Sequence, residues 1–232
     1  MEENNDKEYC LEVWGDLACF TRPEFKVERM SYEVITPSAA RNIFQAIFWK
    51  PAFNWIVTKI EVLNPIKWTN IMRNEVHGRF TSRTKHIYIE DNRTQRNSYM
   101  LKDVRYRIYA KLHFIPVEER KFKDMKRMPG DDEAPQKYNS IFERRASTGQ
   151  CFTQPYFGIR EYVAFFKLIE THKITVKPID RSADLGIMFY DWDWEHKIDG
   201  NPGRIFYHAR MNNGVINLPD INFGKEIIRC QH

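Results

Sequence analysis

Basic and aromatic side chains alternate along one stretch of this chain, residues 67–111. The stretch contains eleven lysines and arginines against four acidic residues, a net charge of +7, whereas the whole chain has +5. Tyr88, Tyr99, Tyr106 and Tyr109 lie among these cations. Cations neutralise phosphates and bases stack on aromatic rings, so this composition indicates a polyanionic partner of the nucleic-acid kind. An ordinary solvated face is the alternative that charge alone leaves open.

The segment AIFWKP, residues 46–51, ends a predicted helix with two aromatic rings and a cation. Phe48 and Trp49 precede Lys50, and Pro51 stops the helix. A phenylalanine at a helix end is usually a core residue, and this interpretation stays open for Phe48 beside a functional one.

The segment GQCFTQPYFGIREY, residues 149–162, combines glycines with arginines. It leaves a predicted helix that carries Arg144 and Arg145, and it contains Gly158 and Arg160. Glycine lets a backbone approach a phosphate closely, and arginine offers bidentate donors to phosphate oxygens. A plain helix-to-strand connection with a glycine cap explains the same segment equally well.

The acidic run DWDWEH, residues 191–196, is the strongest candidate for a metal site. On a strand its carboxylates share one face and its tryptophans share the other, together with Met188 and Tyr190. Same-face neighbours on a strand lie about 7 Å apart, so an aromatic core face backed by a wet acidic face explains the run without an ion. The sequence has no Walker, G-x-S-x-G or H-E-x-x-H motif, and we expect neither a metal nor another cofactor.

Periodicity predicts an α+β fold. The predicted strands are at 11–20, 53–63, 101–115 and 161–170, and the predicted helices follow Thr36 and span 138–146. The order β-α-β-β-α-β is the ferredoxin-like arrangement. The basic stretch 67–111 then forms a long hairpin between the second and third strands.

The C-terminal quarter has a different character. Short strands at 187–194, 204–211 and 215–218, with a tight-turn signal at 212–214, predict a small C-terminal antiparallel β domain. We therefore expect a ferredoxin-like domain at 1–170 and a small β domain at 171–232.

Composition also bears on location. The first ten residues lack the basic start and apolar run of a signal peptide, and no apolar run approaches the roughly 18 residues of a membrane span. The four cysteines form no C-x-x-C pair, which argues against a zinc site and fits reduced thiols. We expect a cytoplasmic protein with no membrane partner.

Four segments together resemble one family. They are VWGDLACFTRPEFKVERMSYEVITPSAARNIFQAIFWKPAFNWIVTKIEVLNPIKWTNIMRNE, LKDVRYRIYAKLHF, IFERRASTGQCFTQPYFGIREY and LGIMFYDWDWE with the later FYHARMNNGVINLP, and the resemblance covers essentially everything from Leu11 to Leu218. They look like the d-type of the Cas family-five proteins of type I-C CRISPR systems, members of the repeat-associated RNA-binding (RAMP) superfamily. The resemblance implies a ferredoxin-like RAMP domain with a small β domain, in agreement with the periodicity.

The resemblance also implies a function in antiviral defence. A protein of this family binds the stem-loop of CRISPR repeat RNA and cuts it at the 3′ base of the hairpin. The RNA's own 2′-hydroxyl attacks the adjacent phosphate, so the cut needs no metal. The protein then stays on the 5′ handle of the crRNA, beside the backbone and large subunits of the surveillance complex.

Three active-site positions follow from the resemblance. The family often has tyrosine at the position of Phe48, in the form I-Y-W-K-P, and a lysine–histidine pair at the positions of Lys137 and Tyr138. Lys137 keeps the charge that stabilises a phosphorane, but Phe48 has no hydroxyl, and tyrosine is a poor base at neutral pH. General acid–base catalysis typically raises a rate about 10²–10⁴-fold, so the changes at Phe48 and Tyr138 are compatible with a slow enzyme or with a subunit that only binds RNA.

RNA binding is expected to use cations of the hairpin, of the predicted helices and of the glycine-containing segment. These residues are Lys50, Arg73, Arg93, Arg96, Lys102, Arg105, Arg107, Arg144, Arg145, Arg160 and, through its backbone, Gly158. Two hypotheses remain, a metal-independent endoribonuclease and a non-catalytic subunit that binds the crRNA handle. A third makes non-specific duplex DNA the main partner, because a basic hairpin is blind to sequence.

Overall fold

The computed structural model describes residues 6–25, 27–76, 86, 88–120, 133–170, 172, 174–198, 200–220 and 227–229. Its helices are α1 (Pro37–Ile47), α2 (Ile89–Asn92) and α3 (Pro135–Ser147), with a 3-10 turn at Val117–Glu119. Its strands are β1 (Lys7–Ala18), β2 (Phe53–Val62), β3 (Lys67–Val76), β4 (Arg93–Phe114), β5 (Phe165–Ile169), β6 (Ala183–Ile198), β7 (Asn201–Met211), β8 (Val215–Asn217) and β9 (Ile227–Arg229). Within these ranges no helix is long and apolar enough to cross a membrane.

Six strands form a large antiparallel sheet. Five of them follow the order β5-β1-β4-β2-β8, and β3 pairs with β4 outside this path. Helix α1 connects β1 to β2, and α3 lies between β4 and β5, which confirms the predicted ferredoxin-like β-α-β-β-α-β fold. Both helices pack on Trp55 of β2, whose ring centroid is 4.8 Å from that of Phe44 in α1 and 4.6 Å from that of Phe142 in α3.

Helix α1 begins where its sequence predicts, but it ends at Ile47 rather than directly before Pro51, so Lys50 lies outside its last turn. The Thr36 hydroxyl accepts a hydrogen bond from the backbone N–H of Ala39 at 3.3 Å, and Pro37 occupies the first helical position. Residues at three- and four-residue spacing, including Ile43 and Phe44, form the buried face. The helix ends at Ile47, and the next residue is already extended.

The predicted long hairpin is present, and its second strand is longer than expected. Strand β4 begins at Arg93 rather than at residue 101, because its first ten residues pair with β3 while the rest pairs with β1 and β2. The tip cations at 79, 83 and 85 lie outside the described residues.

The C-terminal strands divide between two sheets. Strands β6, β7 and β9 form a three-stranded sheet, whereas β8 pairs with β2 at the edge of the large sheet. The predicted turn at 212–214 is confirmed, since Asn213 and Gly214 have positive φ angles of 48° and 75°. The division of the chain at 170/171 stays a prediction.

A bulge in β6 interrupts the predicted aromatic core face, of which Met188 and Tyr190 are buried as predicted. The register shifts between Phe189 and Asp191, which reverses the alternation that a regular strand would keep. As a result Asp193 is buried at 6% exposure, whereas Trp192 and Trp194 are exposed. Asp193 is held by Arg229 at 2.9 Å and by His196 at 3.0 Å.

Candidate functional site

The last carbonyl groups of α1 organise the surroundings of the AIFWKP segment. Helix ends leave carbonyls without partners inside the helix. Here the Ala46 carbonyl accepts hydrogen bonds from the backbone N–H groups of Phe152 at 2.8 Å and Thr153 at 3.1 Å, and the Ile47 carbonyl accepts one from Arg145 at 3.2 Å. The segment after α3 is therefore fixed against the end of α1.

A cleft of about 1030 Å³ opens between the end of α1 and this segment. Its lining includes three cations, Lys50, Arg145 and Arg160, and two exposed rings, those of Trp49 and Phe152. Phe152 is 81% exposed, which is unusual for a phenylalanine unless a partner covers it. No described residue that lines the cleft is acidic.

The remaining polar groups of the cleft suit a nucleic acid. Asn42, Gln45 and Gln154 present side-chain amides, which both donate and accept hydrogen bonds and can contact the edges of bases. Tyr156 adds a third ring. Cations without competing acids attract phosphates, and exposed rings stack on bases.

Phe48 lies in the core at the floor of the cleft. Its side chain is buried at 2% exposure, and its ring centroid is 5.2 Å from that of Phe53 and 6.4 Å from that of Tyr138. The Arg145 guanidinium carbon lies 5.1 Å from the centre of the Phe48 ring. Phe48 therefore lies between the cleft and Tyr138, one of the two predicted catalytic residues on α3.

Lys137 and Tyr138 lie in the first turn of α3, near Glu133. The Tyr138 hydroxyl donates a hydrogen bond to Glu133 at 2.5 Å, and Arg120 pairs with the same carboxylate at 2.7 Å. Burial would raise the pKa of Glu133, but the hydrogen bonds from Tyr138 and Arg120 and the charges of Arg120 and Lys137 lower it overall. Neither Lys137 nor Tyr138 is among the described residues that line the cleft.

The two glycines of the segment after α3 have structural explanations. Gly149 has φ of +71° and follows the C-terminus of α3, where the next N–H bonds back to the Arg145 carbonyl at 2.9 Å. Gly158 has φ of +77°, and a Cβ there would lie 2.0 Å from the carbonyl oxygen of Cys19. This contact explains the glycine at 158 without a phosphate, and its assignment to RNA stays a prediction.

The predicted RNA-binding cations of the hairpin differ in how free they are. Arg73 pairs with Glu75 at 2.9 Å and with Glu161 at 3.1 Å, and Arg96 lies 3.6 Å from Glu75. The remaining predicted cations of β4's first half and of α3's last turn are exposed and have no ion pair within the described ranges. They are Arg93, Lys102 and Arg144.

Two predicted RNA-binding arginines face the other side of the large sheet. Arg105 pairs with Glu12 at 2.5 Å. Arg107 is buried at 2% exposure, where it pairs with Glu61 at 3.3 Å and donates to the carbonyl of Val176. A segment after β5 therefore covers Arg107 in this structure, and its assignment to RNA stays a prediction.

Sequence reasoning placed four residues of the cleft, Phe48, Lys50, Arg145 and Arg160, without showing that they meet. It did not assign Phe152 a role, although this residue lies in the quoted segment 149–162. The described residues contain no group of three or more His, Cys, Asp or Glu side chains that could hold a metal ion.

Comparison with solved structures places this fold among known ones. The structure of a CRISPR-associated protein superposes with a TM-score of 0.67 at 26% identity, covering 96% of both chains. The protein SMU1763c of Streptococcus mutans, described as functionally uncharacterized, gives a TM-score of 0.66 at 23% identity and covers 96% of this chain and 97% of its own. The second similarity concerns the fold alone.

Sequence comparison identifies the family. A protein of Mannheimia succiniciproducens named CRISPR pre-crRNA endoribonuclease Cas5d is 43% identical over 236 residues, which is 94% of this chain and 97% of the relative. A Thermus thermophilus protein of the same name is 37% identical over 224 residues, 90% of each chain. The Cas5d family model, described as CRISPR-associated protein (Cas_Cas5), matches residues 8–219. The chain belongs to the Cas5d family of CRISPR-associated proteins.

Proposed function

We propose that this protein binds the hairpin of CRISPR repeat RNA, cleaves the precursor at the 3′ base of that hairpin, and remains on the 5′ handle as a subunit of a surveillance complex. The observation that carries the proposal is the cleft, where Lys50, Arg145 and Arg160 lie beside exposed rings and none of the described lining residues is acidic. The names of the two relatives, pre-crRNA endoribonucleases, support the same activity. The backbone and large subunits are the proposed protein partners.

Cleavage would proceed by attack of the RNA's 2′-hydroxyl on the adjacent phosphate, with no metal. This reaction needs a base near the 2′-oxygen, an acid near the leaving 5′-oxygen and positive charge on the phosphorane. Lys137 would supply the charge. Tyr138 would supply a hydroxyl, which Glu133 accepts at 2.5 Å in the free protein.

The second candidate function is binding of the crRNA handle without efficient cleavage. Two observations favour it. Phe48 has no hydroxyl to exchange a proton, and the Tyr138 hydroxyl is already bound to a carboxylate. Loss of one acid–base group lowers a rate about 10²–10⁴-fold, so a protein that lacks such a group would cleave slowly or would only bind the RNA.

One assay separates these functions. The protein is incubated with its own repeat RNA in EDTA, and we expect one discrete product that added Mg²⁺ does not accelerate. Lys137→Ala should lower the cleavage rate about 10²–10³-fold with little change in RNA affinity, because the lysine acts on transition-state charge. Lys167→Ala, an exposed lysine on β5, is the control. Full activity of Lys137→Ala would show that the assigned site is wrong.

Restoring the family's groups tests the alternative. The double variant Phe48→Tyr/Tyr138→His should cut repeat RNA in EDTA faster than the parent, since histidine has a pKa suited to neutral pH. If position 48 is only core, the new hydroxyl lacks a partner, and stability falls by about 1–3 kcal/mol with no gain in cleavage. Competition with duplex DNA in the same buffer tests DNA as the partner: an affinity equal to that for repeat RNA would support it.

A further inference from the structure

A second cavity continues the cleft along α1. The two cavities share Asn42 and Tyr156, and the second, of about 200 Å³, is also lined by Thr36 and Ser38 at the start of the helix. Together they form a groove along the whole of α1, about 16 Å for eleven residues. At its far end the lining includes Phe189 of β6.

Phe189 belongs to an aromatic surface on the three-stranded sheet. Its ring centroid lies 5.3 Å from that of Trp192 and 5.8 Å from that of Phe206. Phe189 is paired with Phe206, and Trp192 with Arg204, across β6 and β7. The bulge in β6 turns Trp192 outward, to 40% exposure. We call these four residues the aromatic platform.

The charges around the aromatic platform favour a polyanion. Arg204 is half-buried and has no ion pair within the described residues. The nearby acids are occupied: Asp184 contacts His208 at 2.7 Å, and Asp191 accepts a bidentate pair from Arg41 at 2.7 and 2.8 Å. Arg204, which pairs with Trp192 across the strands and lies two residues from Phe206, could contact a phosphate between bases stacked on these rings.

We propose that single-stranded RNA next to the repeat hairpin runs from the cleft along α1 and stacks its bases on the aromatic platform. This inference rests on the proposed function and adds a second contact region to it. Antiparallel sheets that expose aromatic rings bind unpaired bases in this way, because every base has a face that can stack. Arg204 would contact a phosphate of the stacked nucleotides.

Binding measurements with labelled RNAs test the proposal. The RNAs are the hairpin alone, the hairpin with a single-stranded flank on the 5′ or the 3′ side, and the flank sequences alone. At least one flank should increase the affinity of the parent for the hairpin about tenfold. Trp192→Ala should remove this increase and leave the affinity for the hairpin alone unchanged. Arg204→Gln should flatten the salt dependence for the same flanked RNA. Trp14→Ala is the control, because Trp14 is 38% exposed and lies on β1.

The outcomes separate the two proposals. If the parent prefers a flanked RNA and both Trp192→Ala and Arg204→Gln leave this preference unchanged, the aromatic platform does not bind RNA. If Trp192→Ala then also reduces co-purification of another complex subunit, the platform is a protein-docking surface instead. If the parent does not cut repeat RNA but binds a flank in a Trp192-dependent manner, the inference holds and the proposed cleavage fails. Thermal melts of both variants should match the parent, because neither side chain is in the core.

Discussion

The cleft at the end of α1 and the opposite face of the large sheet carry similar side chains in different surroundings. Both combine cations with aromatic rings. In the cleft, Lys50 and Arg160 are exposed and no acid lines the described surface. On the opposite face, Lys59 and Arg107 both contact Glu61, at 2.9 and 3.3 Å. The cations of a strand therefore do not by themselves reveal a binding surface, because an acid on the same strand (for Lys59) or on the neighbouring strand (for Arg107) can pair with them.

The opposite face is also closed to chemistry. Cys10 lies there at 1% exposure beside Tyr109, whose ring is covered by the Lys59 ammonium at 3.8 Å. Burial is the largest cause that raises the pKa of Cys10, to about 11, so the thiol is protonated and unreactive at neutral pH. This face therefore contributes to stability, whereas we assign binding to the cleft.

The largest expected effect comes from comparing the stability of two variants, each of which removes one cation. Arg107→Ala leaves Glu61 buried with only part of its counter-charge, and we expect the free energy of unfolding to fall by about 3 kcal/mol, at the lower end of the range for broken buried pairs because Lys59 remains. Lys50→Ala should leave stability unchanged. Urea unfolding measures both. Weaker RNA binding by a folded Arg107→Ala protein would contradict the contrast.

Neutralising the cleft tests its electrostatic role. Lys50→Gln/Arg160→Gln should lower RNA affinity and reduce the log–log slope against salt by about 1.4, since each phosphate contact on single-stranded RNA contributes about 0.7. Filter binding at several salt concentrations gives the slope. Lys59→Gln is a matched control on the closed face. Equal slopes for the parent and the cleft variant would remove the cleft from the RNA-binding surface.

The pairing of Glu133 makes stability depend on pH. Its folded-state pKa is below the ordinary 4.5, so its stabilising contribution is present above about pH 4.5 and is lost as the pH falls through the folded pKa. The free energy of unfolding of Glu133→Gln should be about 1 kcal/mol lower than that of the parent at pH 7, because hydrogen bonds to a charged acceptor are stronger than hydrogen bonds to a neutral one. The difference should narrow as the pH falls below 4.5, which urea unfolding at pH 7 and pH 3 measures. The same difference in stability at both pH values would show that the charge of the Glu133 carboxylate does not stabilise the fold.

The smallest expected effect distinguishes two arginines of the hairpin. Arg93 is exposed, whereas Arg96 is 3.6 Å from Glu75. Arg93→Gln should flatten the salt slope of RNA binding by about 0.7, the contribution of one phosphate, and Arg96→Gln should do so less. Salt titrations of both variants measure the difference. Equal effects would mean that the Glu75 pairing opens when RNA binds.

The sequence alone determined the features that depend only on residues close together along the chain. Thr36 and Pro37 start α1, the three- and four-residue spacing of Ile43 and its neighbours gives its buried face, and Asn213–Gly214 makes the tight turn. Each follows from local backbone preferences and from the period of the side chains, which do not need the rest of the fold. The ferredoxin-like order of elements follows from the same local signals.

Tertiary structure decided which of the predicted residues meet and which are hidden. Arg107 and Lys50 are both cations in the sequence, but Val176, from a distant segment, covers the first, whereas the end of α1 exposes the second. The bulge after Phe189 turned Trp192 outward, against regular alternation. A side chain's charge and period are local properties, but its burial depends on segments far away in the chain, and these come together only when the chain folds.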